Sequence, residues 1–312
     1  MERRPPGREN SQRSSSAKHG GRAHRPPSVP WVFAAPALTC AIVLYLLPNV
    51  SALYYSLTQW DGLTHPSFRG VGNFVDLYHD DGARRALRNT LLLAGVFALA
   101  VNVIGLALAV GTHRVLKSRN FLRALFFAPL VISPLAVSYV WQYMLQPEGP
   151  VNAILGGIGL GALEHPWLGD PTTALWVLVI PLVWQFSGFA MVVYLAGLQG
   201  IPEELYEASS VDGASALERF RSITLPQLAP SMTVVVALST IIGLRLFDQV
   251  LALTGGGPAN ATETLATELY QQAFTFTRFG YATALAVVLS ALIIAITVVQ
   301  IVVLRRREAR YA

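Results

Sequence analysis

The sequence predicts an all-α, polytopic membrane protein with six transmembrane helices and a cytoplasmic helix pair in one of its loops. Three observations lead there. Of 312 residues, 53% are hydrophobic and 13% are charged, half the roughly 25% charge of an ordinary soluble domain. The apolar residues gather into six runs, each long enough to cross a hydrocarbon core about 30 Å thick. Lys and Arg alternate between rich and poor in the segments between those runs. A mean hydropathy of +0.46 excludes disorder as the main state. Six runs without a polar face exclude a soluble bundle.

Residues 1–30 are basic, rich in Pro, Ser and Gly, and without periodicity, which predicts a disordered cytoplasmic tail. Residues 31–304 form the six-span domain. Its first run, Trp31–Leu57, exceeds a signal-peptide core of about 7–15 residues, and Ala34-Ala35-Pro36 is a poor cleavage context. The others are Thr90–Gly111, Ala124–Leu145, Pro171–Gln199, Ser231–Leu253 and Phe279–Leu304. Residues 305–312 make a second basic tail.

Orientation follows from the basic residues, which stay on the cytoplasmic side. Seven precede the first run, Arg114, Lys117, Arg119 and Arg123 separate the second from the third, and Arg305, Arg306, Arg307 and Arg310 follow the last. Both termini are therefore expected in the cytoplasm of a multi-pass cell-membrane protein. The alternate loops, 58–89, 146–170 and 254–278, hold Arg69, Arg84, Arg85, Arg88 and Arg278. The cluster Arg84–Arg88, beside Asp80 and Asp81, reads as an amphipathic helix at the outer interface. This asymmetry accounts for the net charge of +5 without nucleic acid, and anionic lipid is the expected partner of the basic residues.

Enzyme chemistry is missing. Gly111–Ser118 lacks the second glycine of a phosphate loop, so nucleotide energy would have to come from another subunit. No zinc-protease helix, paired cysteines or nucleophile elbow occurs, and the six histidines are scattered. Cys40 is the lone cysteine and falls inside the first run, so it reads as an inert buried thiol. Neither a cofactor nor a metal is expected.

The loop 200–230 is the most ordered hydrophilic stretch. Pro202 suits a first helical turn, and Glu203, Glu204 and Glu207 follow at the positive end of the helix dipole. Leu205, Ala208 and Ser209 form a compact face, and Asp212-Gly213 supplies a turn. Ser215 with Glu218 makes a capping box for a second helix over 216–223, with Leu217, Phe220 and Ile223 on one side. Pro226 and Pro230 then break the path.

Glu207-Ala208-Ser209, Gly213 after three more residues, and Ile223-x-Leu225-Pro226 after nine resemble the EAA loop of ATP-binding-cassette importer permeases, with Ser209 in place of the second alanine. The resemblance implies a coupling helix that docks on a separate ATPase subunit. Glu207 would bond at the ATPase surface, with Ala208 and Gly213 allowing close approach. It extends over nearly the whole chain and is nearest the carbohydrate-uptake branch, the maltose and glycerol-3-phosphate type. The stretches that carry it are Phe74-Val75 with Ala86–Thr90, Gly149–Asn152, Leu246–Asp248 with Leu253–Pro258, and Tyr270–Phe274 with Phe279–Tyr281. The Arg-rich C-terminus is similar to the first permease of such pairs. The implied partners are a second permease, two ATPase subunits, an extracellular solute-binding protein and a sugar or related polyol.

Offsets from the same motifs place Gln185, Phe186 and Phe189, and also Ser239, Ile242, Gly243 and Leu246, where the maltose-type permease contacts sugar. The second set repeats as one face of a helix, and aromatic rings with an amide and a hydroxyl suit a sugar. Helix-on-helix packing is the competing reading of both sets. Arg245 and Asp248 are the sole charges within the six runs, expected to pair at i and i+3 beside the pathway, with a proton relay as the competing reading that lacks further acids in the other runs. The alternatives are a self-sufficient secondary transporter, which would show intramembrane carboxylates or inverted repeats, or a channel.

Overall fold

The computed structural model describes residues 34–113 and 118–308. The tail expected over 1–30, together with Arg114, Lys117 and Arg310, lies outside the described residues. The chain divides into two units, residues 1–48 and 49–312. Pro36 opens the helix α1 (Ala35–Ser56), which contains one wide π turn at Ile42–Leu46.

In the second unit, a short antiparallel hairpin joins β1 (Thr58–Gln59) to β2 (Ser67–Phe68), with Thr58 opposite Phe68 and Gln59 opposite Ser67. Then come α2 (Gly72–His79) and α3 (Asp81–His113). The helix α3 starts at Asp81 rather than Thr90 because the Asp80 carboxylate accepts the Gly82 and Ala83 amides, at 2.8 and 3.4 Å. Arg84, Arg85 and Arg88 are exposed on the first turns of this helix while Ala83 and Ala86 are buried, so the amphipathic segment runs on into α3 instead of forming a helix of its own. Arg84 pairs with Asp81 at 2.8 Å.

The third apolar run turns a corner. It forms α4 (Arg119–Val131) and α5 (Pro134–Met144), bent by 98°. Pro134 offers no N–H, and it holds Ser133 extended at φ −54°, ψ 135°. After α6 (Pro150–Gly157), Asn152 ties the connection down through bonds to the Pro147 and His165 carbonyls and the Trp167 indole. The fourth run is the helix α7 (Ala174–Gln199).

The fifth run is displaced. The helix α9 (Ala216–Gln227) bends by 69° into α10 (Ala229–Leu244), which ends before Arg245, and helix resumes only at α11 (Asp248–Thr254). After α12 (Leu265–Tyr270), the last helix, α13 (Phe279–Glu308), carries the expected 305–312 tail as helix through Glu308. Among the described residues, α1, α3, α7 and α13 are long and apolar enough to cross a membrane, and counting each bent pair as one span raises the four to six.

The core lies where α3, α7 and α10 meet, with Phe97, Leu182, Met191, Tyr194 and Val235 buried among them. At the opposite end from loop 200–230, the Asn89 amide donates to the Ala261 and Glu263 carbonyls, and the Thr90 hydroxyl accepts the Leu265 amide. These bonds fasten the 255–278 connection to the start of α3.

Candidate coupling loop and membrane-interior site

In the 200–230 loop, Pro202 precedes α8 (Glu203–Val211), whose first turn carries Glu203 and Glu204. Gly213 reverses the chain at φ +78°, a conformation that disfavours any side chain, and no atom lies within 4 Å of where a Cβ would stand. Ser215 caps α9 in a complete capping box with Glu218. That helix continues past the expected 223 to Gln227 through a π turn at Phe220–Thr224.

The loop has two sides. Glu207, Ala208 and Gly213 are exposed, as are the apolar Val211 and Leu217. Ser209 is half-buried and donates to the Tyr206 carbonyl, while Ile223, Leu225 and Pro226 are half-buried where the loop joins α10. Tyr206, which the sequence analysis did not single out, holds the two short helices together through its hydroxyl and that of Thr224, 3.0 Å apart. Its only signal in the sequence is an aromatic ring among small and acidic residues.

The membrane-interior residues fall into two groups. Gln185 is buried; its amide donates to the Ile132 carbonyl at 2.9 Å, and its oxygen accepts the Gln249 amide at 3.3 Å. It therefore satisfies a carbonyl released by the α4–α5 corner. Ser239 donates to the Val235 carbonyl and accepts the Asn102 amide at 3.0 Å, while Asn102 also accepts the Tyr194 hydroxyl. Gly243 sits against Ala94 and Phe97, and Leu246 is buried beyond the end of α10, off the helical face expected for it. Phe186, edge-on to Phe97 at 5.6 Å, is half-buried, as are Phe189 and Ile242. Asn102 and Tyr194 were missed because each looks like a single polar residue in an apolar run.

The expected Arg245–Asp248 pair does not form. The helix ends at Leu244, so the one-turn spacing is lost, and both side chains are exposed with no hydrogen bond or ion pair to the described residues.

A buried carboxyl pair, also missed, lies in the connection before α13. Glu263 is 2% exposed and Glu268 is 6% exposed. Burial, reinforced by the neighbouring Glu268 charge, pushes Glu263 up to about 8, against the weaker opposite pull of Arg85. Glu268 accepts the Gln272 amide at 2.7 Å.

Apolar helices long enough to cross a membrane, with two further bent pairs, carry an exposed pair of short helices at one end. The chain belongs to the family described as binding-protein-dependent transport system inner membrane component, which matches residues 101–309. It is 35% identical over 282 residues to a probable starch degradation products transport system permease of Thermoanaerobacterium thermosulfurigenes, covering 89% of this chain and 94% of that one. It is 32% identical over 290 residues to a trehalose/maltose transport system permease of Thermococcus litoralis, covering 91% and 96%. In fold it matches a chain of a bacterial alginate ABC transporter, solved with an alginate pentasaccharide-bound periplasmic protein, with a TM-score of 0.78 at 24% identity over 89% of this chain and 94% of that one.

Proposed function

We propose that this chain is the membrane-spanning permease subunit of an ATP-binding-cassette importer for a sugar or related polyol. A solute-binding protein delivers the substrate on the outer side, and ATP is hydrolysed by two separate subunits. The observation that carries this reading is the family match over 101–309, joined to relatives named as sugar transport permeases. With the basic residues inside, loop 200–230 and both termini are cytoplasmic, and loops 57–80, 145–173 and 255–278 face out.

Glu207, Ala208, Ser209 and Gly213 meet the ATPase, and Val211 and Leu217 widen that contact with apolar surface. Ile223, Leu225 and Pro226 stand at the bend into α10, so pressure on α8 and α9 tilts α10 about it. Along the pathway, Phe186, Phe189 and Ile242 keep surface for substrate or for the second permease. Gln185, Ser239, Gly243 and Leu246 shape that wall from behind. An intramembrane charge without a partner costs about 2.5–3.5 kcal/mol at the helix centre, so Arg245 and Asp248 face the water-filled path between the two permeases.

The test is Gly213→Asp, which adds charge and strain at a turn with open space around it. The variant is expected to reach the membrane in normal amount while solute uptake and co-purification of the ATPase fall together. Normal uptake would reject the coupling role.

A further inference from the structure

The outward end of the second unit contains a polar recess of about 620 Å³ between the β1–β2 hairpin and the start of α13. Its walls are held firmly. Asn73 donates to the Ser56 and Thr58 carbonyls, both at 2.8 Å, and Arg69 bonds to Asn73 and pairs with Asp76 at 2.7 Å. The Gly280 amide donates to the Trp60 carbonyl, and a Cβ on Gly280 would stand 2.1 Å from the Thr58 carbonyl oxygen. Hairpin and helix are therefore in direct backbone contact.

The rings around the recess are mostly spoken for. Trp60 stacks on Tyr55 at 4.2 Å and leans on Phe279 at 5.6 Å, while the Arg278 guanidinium covers Tyr281 at 4.5 Å. That leaves little free ring face for a sugar. The charges are also mostly balanced: Arg69 is paired with Asp76, and Arg278 faces Asp80.

Asp61 is the exception. One oxygen accepts the Leu63 and Thr64 amides and the Thr64 hydroxyl, at 3.0, 2.8 and 2.8 Å, and the other has no hydrogen bond among the described residues. The amides of Thr64 and Leu63, then the Thr64 hydroxyl, hold its carboxyl down at about 2, so it is ionised at any physiological pH.

We infer that this recess is a docking point for the solute-binding protein, receiving a loop whose Lys or Arg side chain meets the fixed Asp61 carboxylate. Phe276, 54% exposed at the rim, supplies an apolar contact for the same loop. The inference rests on the outward orientation and the importer function proposed above.

The test uses the full importer in nanodiscs with its solute-binding protein, measuring association and dissociation by interferometry at about 50 and about 500 mM KCl. The variant is Asp61→Asn, which keeps an acceptor for the turn while removing the charge. The same melting temperature as wild type would show that the hairpin is intact. The expected result is affinity weakened by about two- to fivefold, mainly in the association rate, and a flatter dependence on salt. If the wild-type complex responds to the binding protein and Asp61→Asn is indistinguishable from it at both salts, this inference fails and the importer reading stands. Free sugar bound by wild type and lost in Asp61→Asn, with protein docking unchanged, would also overturn it. If the wild-type complex responds to no binding protein, the function itself is wrong.

Discussion

Replacing Gly243 by alanine separates two roles for this position, lining a substrate path and allowing two helices to touch. In the structure, a Cβ on Gly243 would stand 2.9 Å from the Ala94 Cα, 3.1 Å from the Ala94 Cβ and 3.1 Å from the Phe97 ring. Carbon atoms at ease sit about 3.5–4.0 Å apart, so α10 and α3 must separate by about 0.6–1.1 Å. Within a bilayer, helices gain little from the hydrophobic effect and associate through close packing at small residues. Overpacking of this size costs about 1–3 kcal/mol. The assay is unfolding in mixed micelles titrated with SDS, followed by far-UV dichroism, with Gly243→Ala expected to lose that much stability. Ala94→Gly in the same chain removes one of the clashing atoms, so the double variant should regain part of the loss, a coupling of about 0.5–3 kcal/mol. Wild-type stability in Gly243→Ala, or strictly additive effects, would refute the packing argument. Altered sugar affinity at unchanged stability would favour the path-lining role instead.

Gln185→Leu leaves the Ile132 carbonyl and the Gln249 amide without their partner at the α4–α5 corner. The loss should be about 1 kcal/mol in the same micelle titration, and an unchanged midpoint would show that water replaces the amide. Phe189→Ala should change which sugars compete for uptake while ATPase co-purification stays normal; an unchanged competition profile would assign Phe189 to packing. Because burial raises Glu263 to about 8 from 4.5, its contribution to stability is full below the unfolded value and is lost as pH rises through about 8. Melting temperature in detergent should therefore fall over that window, and Glu263→Gln should flatten the fall. An equal pH slope in both proteins would place the titration elsewhere.

The loop 200–230 was legible because its signals are local. A proline opens the first helix, Gly213 turns the chain, and Ser215 and Glu218 close a box three residues apart. Tyr206 escaped notice because its partner, Thr224, lies on the next helix. The third and fifth apolar runs were found as hydrophobic stretches but misdrawn as helices. Hydropathy sums side chains and is blind to the missing N–H of Pro134 or to the helix end at Arg245. The same blindness produced the expected Arg245–Asp248 pair. Its spacing was correct for a continuous helix that the chain does not build.

What the sequence determined by itself is the medium the chain lives in and the capped pair of short helices over 200–230. Burial in lipid is nearly additive along a run of residues, and caps and turns act within a few positions, so both can be read in order. Tertiary structure decided which polar groups inside the membrane are satisfied and which remain open. Asn102 reaches Ser239 across 137 residues, and Gln185 reaches Ile132 across 53. With no water in the bilayer core to take their place, such bonds form only where helices remote in sequence cross, and no local pattern announces where that will be.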